Sequence, residues 1–239
     1  MSQFQEQLLE PACCKSAGTT VLMILQDNEK VVTELPDEEK RFFMEHVDDR
    51  RDQTPQFLRL AAALCCCNGK GVAANQELVI KELMVQSSKL FVMTNSSKTG
   101  SNLEVTLPSR GLAASTKTMD VLNLVDRTSP YRDMLDYYEA NLELFSAVCA
   151  SQCTNGRTQV GGRHVAKIDY DCLLRGMNEN KLPESVRMRY VRLMRMLYVE
   201  RLPEEYTPKR ESTQLLHEID RQSFHKYSYL GFCYRKCVH

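Results

Sequence analysis

Histidine is the residue type that usually provides the base for catalysis by a nucleophile, which must lie within hydrogen-bond reach. The five histidines of this chain stand in unrelated contexts, and none is combined with a nucleophile in the order of a known triad. We interpret His46, on a helical stretch, and His164, beside a loop, as surface or structural histidines. The segments Gly69-Lys70-Gly71 and Gly161-Gly162 lack the strand, turn and helix that frame a phosphate-binding loop. The sequence therefore predicts a protein that is not an enzyme.

The ten cysteines are clustered in a way that argues against disulfides. Cys13-Cys14 and Cys65-Cys66-Cys67 are runs of neighbours, and neighbouring cysteines rarely satisfy the geometry of a bridge. Cys233, Cys237 and His239 have the spacing of part of a zinc site, but the tail offers no obvious fourth ligand. We interpret the cysteines as reduced thiols, and we predict neither a metal nor another cofactor.

Arginines supply the one local basic feature. Arg187, Arg189, Arg192 and Arg195 lie away from the apolar positions of the last strong helical pattern. Guanidinium groups bind carboxylates and phosphates, so this is a possible partner face; an ordinary solvated helix face is the other interpretation. Basic and acidic residues are equal in number, 31 of each, and no basic run is present. We therefore predict no nucleic-acid binding.

Length and composition predict a folded protein. The chain has 239 residues, of which 43% are apolar and 26% charged, as in ordinary globular domains. Its longest apolar run, Leu60 to Cys67, is far shorter than the roughly 20 residues that cross a bilayer. The first residues lack the basic start and apolar block of a secretory signal. We expect a soluble, cytoplasmic chain without a membrane span.

Most of the chain carries the periodicity of amphipathic helices. Helical patterns follow Pro36, run from Pro55 to Asn68-Gly69, from Asn75 to Met84, from Met119 to Val125, from Ser129-Pro130 to Cys149, from Ile168 to Met177, and from Leu182-Pro183 to about Arg201. We expect Thr154 to Gly162 to be a loop, and residues 87–118 to form a polar surface excursion that can contain short strands. These patterns fit an all-α helical bundle or α-solenoid over residues 1–222, with 223–239 as an unassigned tail.

Three blocks resemble the family of inositol trisphosphate receptors and ryanodine receptors, the intracellular calcium-release channels. The first combines Leu64 to Gly69 with Asn75 to Lys81. The second is the helical stretch that contains Tyr137, Tyr138, Asn141, Leu142, Leu144, Phe145 and Cys149. The third block resembles the pattern of the inositol trisphosphate receptors and aligns with it without a gap. It consists of Asp171, Leu174, Arg175, Met177, Leu182, Pro183, Arg192, Leu193, Met194, Val199 and Arg201. The excursion at 87–118 lacks the acidic, tryptophan-bearing insert of the receptors, and the tail after about Gln222 matches nothing in them.

The resemblance implies the RIH domain of such a channel, which in the family is an armadillo-like α-solenoid. It implies a cytosolic regulatory region at the endoplasmic reticulum membrane that transmits ligand-driven conformational change, with other domains and subunits of a tetrameric calcium channel as partners. The expected core and relay residues are Leu64, Tyr138, Leu142, Phe145, Leu174, Leu193 and Leu197. We expect the isolated chain not to bind inositol trisphosphate. The alternative is a free-standing helical adaptor that binds a protein partner through the arginine face.

Overall fold

The computed structural model describes residues 8, 10–47, 55–85, 90–96, 102–107, 117–132, 134–161, 166 and 168–200. The chain divides into two units, Met1–Glu200 and Arg201–His239, and every described residue belongs to the first unit. The cysteine-containing tail at 223–239 therefore lies outside the described residues.

The first unit is built mainly from helices. They are α1 (Pro11–Leu25), α2 (Glu29–Glu34), α3 (Asp37–Glu45), α4 (Pro55–Cys65), α5 (Ala73–Val79), α6 (Met134–Val148), α7 (Thr154–Gly161), α8 (Tyr170–Asn178) and α9 (Glu184–Met194). Two of them continue as π-helical turns, α5 into Ile80–Val85 and α9 into Arg195–Val199. Short 3₁₀ turns occupy Val121–Leu124 and Ala150–Gln152. The prediction of a mainly helical protein is confirmed.

Proline and acidic residues start two of the helices as the sequence predicts. In α3, Pro36 is the N-cap and Asp37, Glu38 and Glu39 fill the first turn. Their carboxylates lie at the positive end of the backbone dipole, which stabilises the helix start. Pro183 caps α9 in the same way, followed by Glu184.

A small hairpin follows α4, where the sequence predicts only a helix end. Strands β1 (Cys66–Cys67) and β2 (Lys70–Gly71) pair antiparallel, and Asn68 and Gly69 form the turn between them. Asn68 has a φ of 50° and Gly69 a φ of 75°, the left-handed values that Asn and Gly tolerate best. The pair was therefore rightly expected to be left-handed, but it closes a hairpin and does not cap a helix.

The polar excursion at 87–118 contains a sheet that contributes to the core. Strands β3 (Met93–Ser96), β4 (Leu103–Thr106) and β5 (Thr118–Asp120) form an antiparallel sheet in the order β3-β4-β5. Phe91, Val92 and Val105 are almost completely buried. In the stretch Met119 to Val125, predicted to be helical, Met119 and Asp120 belong to β5 and Val121–Leu124 form a 3₁₀ turn.

Residues 154–161 form helix α7, so the prediction of a glycine-containing loop there is wrong. Ser151 and Gln152 adopt left-handed φ angles of 52° and 63°, which reverse the chain between α6 and α7. Gly156 then lies so close to α6 that a Cβ atom would stand 2.1 Å from the carbonyl oxygen of Val148. The glycine serves close helix packing at this position, although its sequence context suggested a turn.

The core lies between α4 and α6, which pack side by side at the centre of the unit. Helices α1 and α3 pack on α4, while α9 packs on α6 and α8. The buried apolar positions of α4 and α6 occur on more than one face, as expected for helices with neighbours on several sides. None of the described helices is both long enough and apolar enough to cross a bilayer.

Candidate functional site: a polar junction and an arginine-lined cavity

Asn75, near the start of α5, bonds to the ends of two other helices. Its buried side-chain nitrogen donates to the carbonyl oxygens of Val32 in α2, at 3.1 Å, and of Leu64 in α4, at 2.9 Å. Carbonyls in the last turn of a helix have no partner within the helix, so a buried helix end needs such a donor. One amide therefore fixes the last turns of α2 and α4 relative to α5.

Gln76 does the same for α6. Its buried side-chain nitrogen donates to the carbonyl oxygens of Ala147, at 2.9 Å, and Ala150, at 3.0 Å. The neighbouring Gly71 leaves the room for this contact, since a Cβ there would lie 2.6 Å from the Gln76 nitrogen and 2.7 Å from the Ala150 oxygen. Together Asn75 and Gln76 join α2, α4, α5 and α6, and we call this pair of side chains with its carbonyl partners the polar junction.

The β1–β2 hairpin, which lies next to the polar junction, is held by hydrogen bonds to two turns. The backbone nitrogen of Gly71 donates to the hydroxyl of Ser151, at 2.7 Å, in the turn after α6. The backbone nitrogen of Asn68 donates to the carboxylate of Asp27, at 2.6 Å, in the turn after α1. Both acceptors have left-handed φ angles, 52° for Ser151 and 54° for Asp27. The hairpin thus ties the end of α1 to the end of α6.

A buried cluster of three hydroxyl groups connects the sheet β3-β4-β5 with helices α6 and α9. The Thr94 hydroxyl in β3 lies 2.9 Å from the hydroxyl of Tyr138 in α6, which in turn makes a short hydrogen bond with Tyr190 in α9. Gly176 of α8 permits this packing, because a Cβ there would lie 2.6 Å from the Tyr190 ring. Burial raises the pKa of both tyrosines above the usual range, so both hydroxyls stay neutral in the fold.

The seven residues expected to form the core and relay differ in burial. Leu64, Tyr138, Leu142, Phe145, Leu193 and Leu197 are fully or almost fully buried, and Leu174 is half-buried against the same core. Tyr138 is also part of the hydroxyl cluster just described. Their role in transmitting motion stays a prediction.

The four predicted arginines do not share one solvated face. Arg195 is exposed and pairs with Glu200, whereas Arg189 pairs with Glu143 of α6 at 2.9 Å. Arg187 is half-buried, and its Nε has no acceptor among the described residues. Arg192 is half-buried, with a long 3.8 Å contact from its guanidinium to the Cys66 sulfur. Their use as a partner face stays a prediction.

A cavity of about 280 Å³ opens beside Arg192. The end of α1, the α4 surface, the hairpin, α6 and α9 all contribute to its wall, and we call it the arginine-lined cavity. Its charged lining residues are Asp27, Arg59, Glu143 and Arg192. Arg59 pairs with Asp136 outside the cavity, and Glu143 pairs with Arg189. Among the described residues, no carboxylate lies within ion-pair distance of Arg192.

The Cys66 thiol in this wall lies among opposing charges. Burial raises its pKa, the Arg192 guanidinium partly opposes that shift, and the Asp27 carboxylate adds to it. A raised pKa disfavours the thiolate, which is the reactive form of cysteine. At neutral pH the Cys66 side chain is therefore mainly the neutral thiol, the less reactive form. Elsewhere in the described part of the chain, no group of three His, Cys, Asp or Glu side chains is placed to hold a metal ion.

Sequence reasoning missed the residues of the polar junction. The sequence places Asn75 and Gln76 at the start of a predicted helix and in a block that resembles the channel family, and it places Thr94 in the polar excursion, but it assigns none of them a buried hydrogen bond. The available signal was a pair of amides just inside a helix start, where polar side chains usually face water. The partners of Gln76 lie 71 and 74 residues away, and no local pattern specifies contacts at that separation.

Comparisons with known proteins show similarity over a large part of this chain. A family model described as the RIH domain, of the ryanodine and inositol trisphosphate receptors, matches residues 1–96. Inositol 1,4,5-trisphosphate receptor-like protein A of Dictyostelium discoideum is 24% identical over 192 residues, 80% of this chain. The inositol 1,4,5-trisphosphate receptor itr-1 of Caenorhabditis elegans is 28% identical over 193 residues, 77% of this chain. The matched region is about 6% of the length of each relative.

Proposed function

Because the chain belongs to the family of inositol trisphosphate receptors and ryanodine receptors, we propose that it is a segment of the cytosolic helical region of an inositol trisphosphate-gated calcium channel. In this role it transmits ligand-driven movement between other parts of the channel and catalyses no reaction. Its partners are then other domains and subunits of a tetramer at the endoplasmic reticulum membrane. Its helices form part of an armadillo-like solenoid.

The polar junction is the observation that carries this proposal. A segment that transmits movement must move as a unit, so its helices must not slide past one another when one end is displaced. Apolar packing alone tolerates small shifts, whereas a buried amide that loses its carbonyl partner costs roughly 1–3 kcal/mol. Asn75 and Gln76 apply this constraint to the ends of α2, α4 and α6. Displacement of the α2 end is thereby coupled to α6.

The test separates ligand binding from its transmission. The full-length protein containing this segment is expressed in cells that lack their own inositol trisphosphate receptors, with Gln76→Leu as the variant. We expect half-maximal calcium release to require at least about threefold more inositol trisphosphate, a coupling loss of the usual size for allosteric proteins. Binding of radiolabelled inositol trisphosphate should be unchanged. Lys81→Ala, at an exposed position just beyond α5, is the matched control and should leave release unchanged.

Two outcomes would contradict this proposal. Unchanged release in Gln76→Leu, together with a measured loss of stability in the 239-residue chain, would mean that the junction only stabilises the fold. No release from the full-length parent protein itself would mean that it is not such a channel.

One observation favours the free-standing adaptor as a second candidate. Met188 and Val199 are 57% and 59% exposed, and Val191 is 38% exposed, on the last helix and its π-helical turn. Exposed apolar side chains beside arginines suit a protein interface. Full-length transcripts decide between the two candidates, since a transcript that encodes pore helices beside this segment excludes the adaptor.

A further inference from the structure

We propose that the arginine-lined cavity binds a small zwitterion with one carboxylate and one ammonium group, the class to which free α-amino acids belong. The ligand carboxylate bonds to Arg192 and its ammonium group to Asp27. This assignment is independent of the channel function, because it depends only on the charges, size and wall of the cavity.

Arg192 supplies the carboxylate subsite. Of the two arginines in the wall, Arg59 is already paired with Asp136, while the one side-chain hydrogen-bond partner of Arg192 among the described residues is the neutral Cys66 sulfur, at 3.8 Å. A guanidinium group that is half-buried and lacks a carboxylate gains charge-assisted hydrogen bonds from an anionic ligand. Its planar fork suits a carboxylate in particular.

Asp27 supplies the ammonium subsite. One of its carboxylate oxygens accepts the backbone N–H of Asn68 at 2.6 Å, and the other has no partner among the described residues. Glu143, the other carboxylate of the wall, is compensated by Arg189 at 2.9 Å. Within the described part of the chain, Arg192 and Asp27 are therefore one cation and one anion of the cavity wall without an ion-pair partner. A zwitterion satisfies both, whereas an anion without an ammonium group is repelled by Asp27.

Size and charge exclude other ligand classes. Ligand pockets usually span roughly 300–1,000 Å³, and this cavity, at about 280 Å³, admits only a small molecule. A polyphosphate needs several converging cations, but among the described residues of the wall only Arg192 is a cation without a paired carboxylate. A purely apolar ligand would bury Arg192 and Asp27 without giving either charge a partner, which is costly.

The wall of the cavity is fixed before a ligand arrives. Asp27, Asn68 and Gly69 all have left-handed φ angles, 54°, 50° and 75°. The first two residues hold each other, because the Asn68 N–H bonds to the Asp27 carboxylate and the Asn68 amide nitrogen lies 3.4 Å from the Asp27 carbonyl oxygen. Asn and Gly tolerate this conformation in a hairpin turn, whereas Asp27 keeps it because surrounding contacts stabilise it. Pre-organisation of this kind lowers the entropic cost of binding.

Calorimetry on the purified 239-residue chain tests the ligand class. The probes are glycine, L-alanine and L-serine as zwitterions, acetate and methylammonium as single-charge fragments, and inorganic phosphate. We expect at least one zwitterion to bind saturably, at least about tenfold more tightly than acetate or methylammonium, which corresponds to about 1.4 kcal/mol. No saturable binding of any of the three amino acids up to about 20 mM, or acetate binding equal to theirs, would overturn the proposal.

Two variants locate the site. Arg192→Met should weaken binding of the amino acid by at least about tenfold, whereas Arg195→Met, on the exposed side of the same helix, should leave it within about twofold. Asp27→Asn keeps the acceptor for the Asn68 N–H but loses the negative charge. It should therefore weaken binding of the amino acid and leave binding of acetate unchanged. Equal binding by wild type and Arg192→Met would place any ligand elsewhere.

Thiol labelling tests the location even if a variant fails to fold. Cys66 lines the cavity and is half-buried, whereas Cys13 on α1 is not among the lining residues. A ligand at ten times its dissociation constant occupies about nine sites in ten, so alkylation of Cys66 in the wild type should slow by up to about tenfold. Alkylation of Cys13 should not change. Slowing of both, or of neither, during saturable binding would contradict the cavity as the site.

Discussion

At the scale of single residues, burial determines how much each side chain of α9 and its π-helical turn contributes to stability. Leu193 is completely buried between neighbouring helices, whereas Arg195, only two positions later, is exposed and paired with Glu200. Truncating a buried leucine removes transfer free energy and leaves a cavity, while an exposed ion pair contributes little.

We therefore expect Leu193→Ala to lower the free energy of unfolding by about 2–5 kcal/mol and Arg195→Ala by well under about 1 kcal/mol. Urea denaturation of the two variants measures both values. Similar losses in both variants would mean that α9 faces the core with a different side.

Buried thiols predict a loss of stability in alkaline solution. Burial raises the pKa of Cys65 and Cys149 and raises the pKa of Cys172 to about 12. An unfolded thiol titrates at about 8.5. The folded state holds these protons more tightly than the unfolded state, so their contribution is complete below about pH 8.5 and is lost as the pH rises towards the folded values.

The midpoint of urea unfolding should accordingly be constant between about pH 7 and 8 and fall by about pH 10. The Cys172→Ala variant is less stable at neutral pH because it leaves a cavity, but its alkaline fall should be shallower. A midpoint that rises with pH, or the same slope in the variant, would refute the role of this thiol.

At the scale of elements, prediction succeeded where a local pattern determines the structure. The helix starts at Pro36 and Pro183 follow from proline and acids at fixed positions, and the left-handed Asn68-Gly69 pair follows from two residue types. Helix α7 was missed because Gly156 and Gly161 read as loop residues, although close packing on α6 requires Gly156. The cavity was missed as well, since its wall combines five elements that are separate in sequence.

The sheet β3-β4-β5 gives an element-scale prediction. Strand β4 pairs on both sides, with Val105 opposite Thr94 and Met119, and Val105 is fully buried. Backbone amides held in this way exchange slowly with solvent. In native-state hydrogen exchange, a peptide covering 103–106 should be protected to a degree similar to one from α4. Exchange as fast as that of an exposed turn would contradict the sheet and would support a mobile excursion.

At the scale of the whole molecule, the distribution of charge bears on whether this chain can bind inositol trisphosphate. A trisphosphate requires several arginines or lysines that converge on it. In the described part of the chain Arg59, Arg189 and Arg195 are each paired with a carboxylate, and Arg192 lies apart from them in its cavity wall.

We therefore expect no saturable binding of inositol trisphosphate by the isolated chain. Isothermal calorimetry against inositol trisphosphate and a positional isomer checks this. Stereospecific binding at micromolar concentration would refute the prediction, and Arg187, Arg192 and Arg195 would be the first residues to replace.

The reach of Gln76 also has a consequence for synthesis of the chain on the ribosome. Its acceptor at Ala150 lies 74 residues downstream, so at about 5–20 residues per second the acceptor is made roughly 4–15 s after the donor. During that interval α5 can form, but the Gln76 amide has only water as a partner and the end of α6 does not yet exist. Until α6 emerges, the part of the chain already made therefore exposes the apolar surface that α6 later covers. A chaperone can bind this surface during that interval.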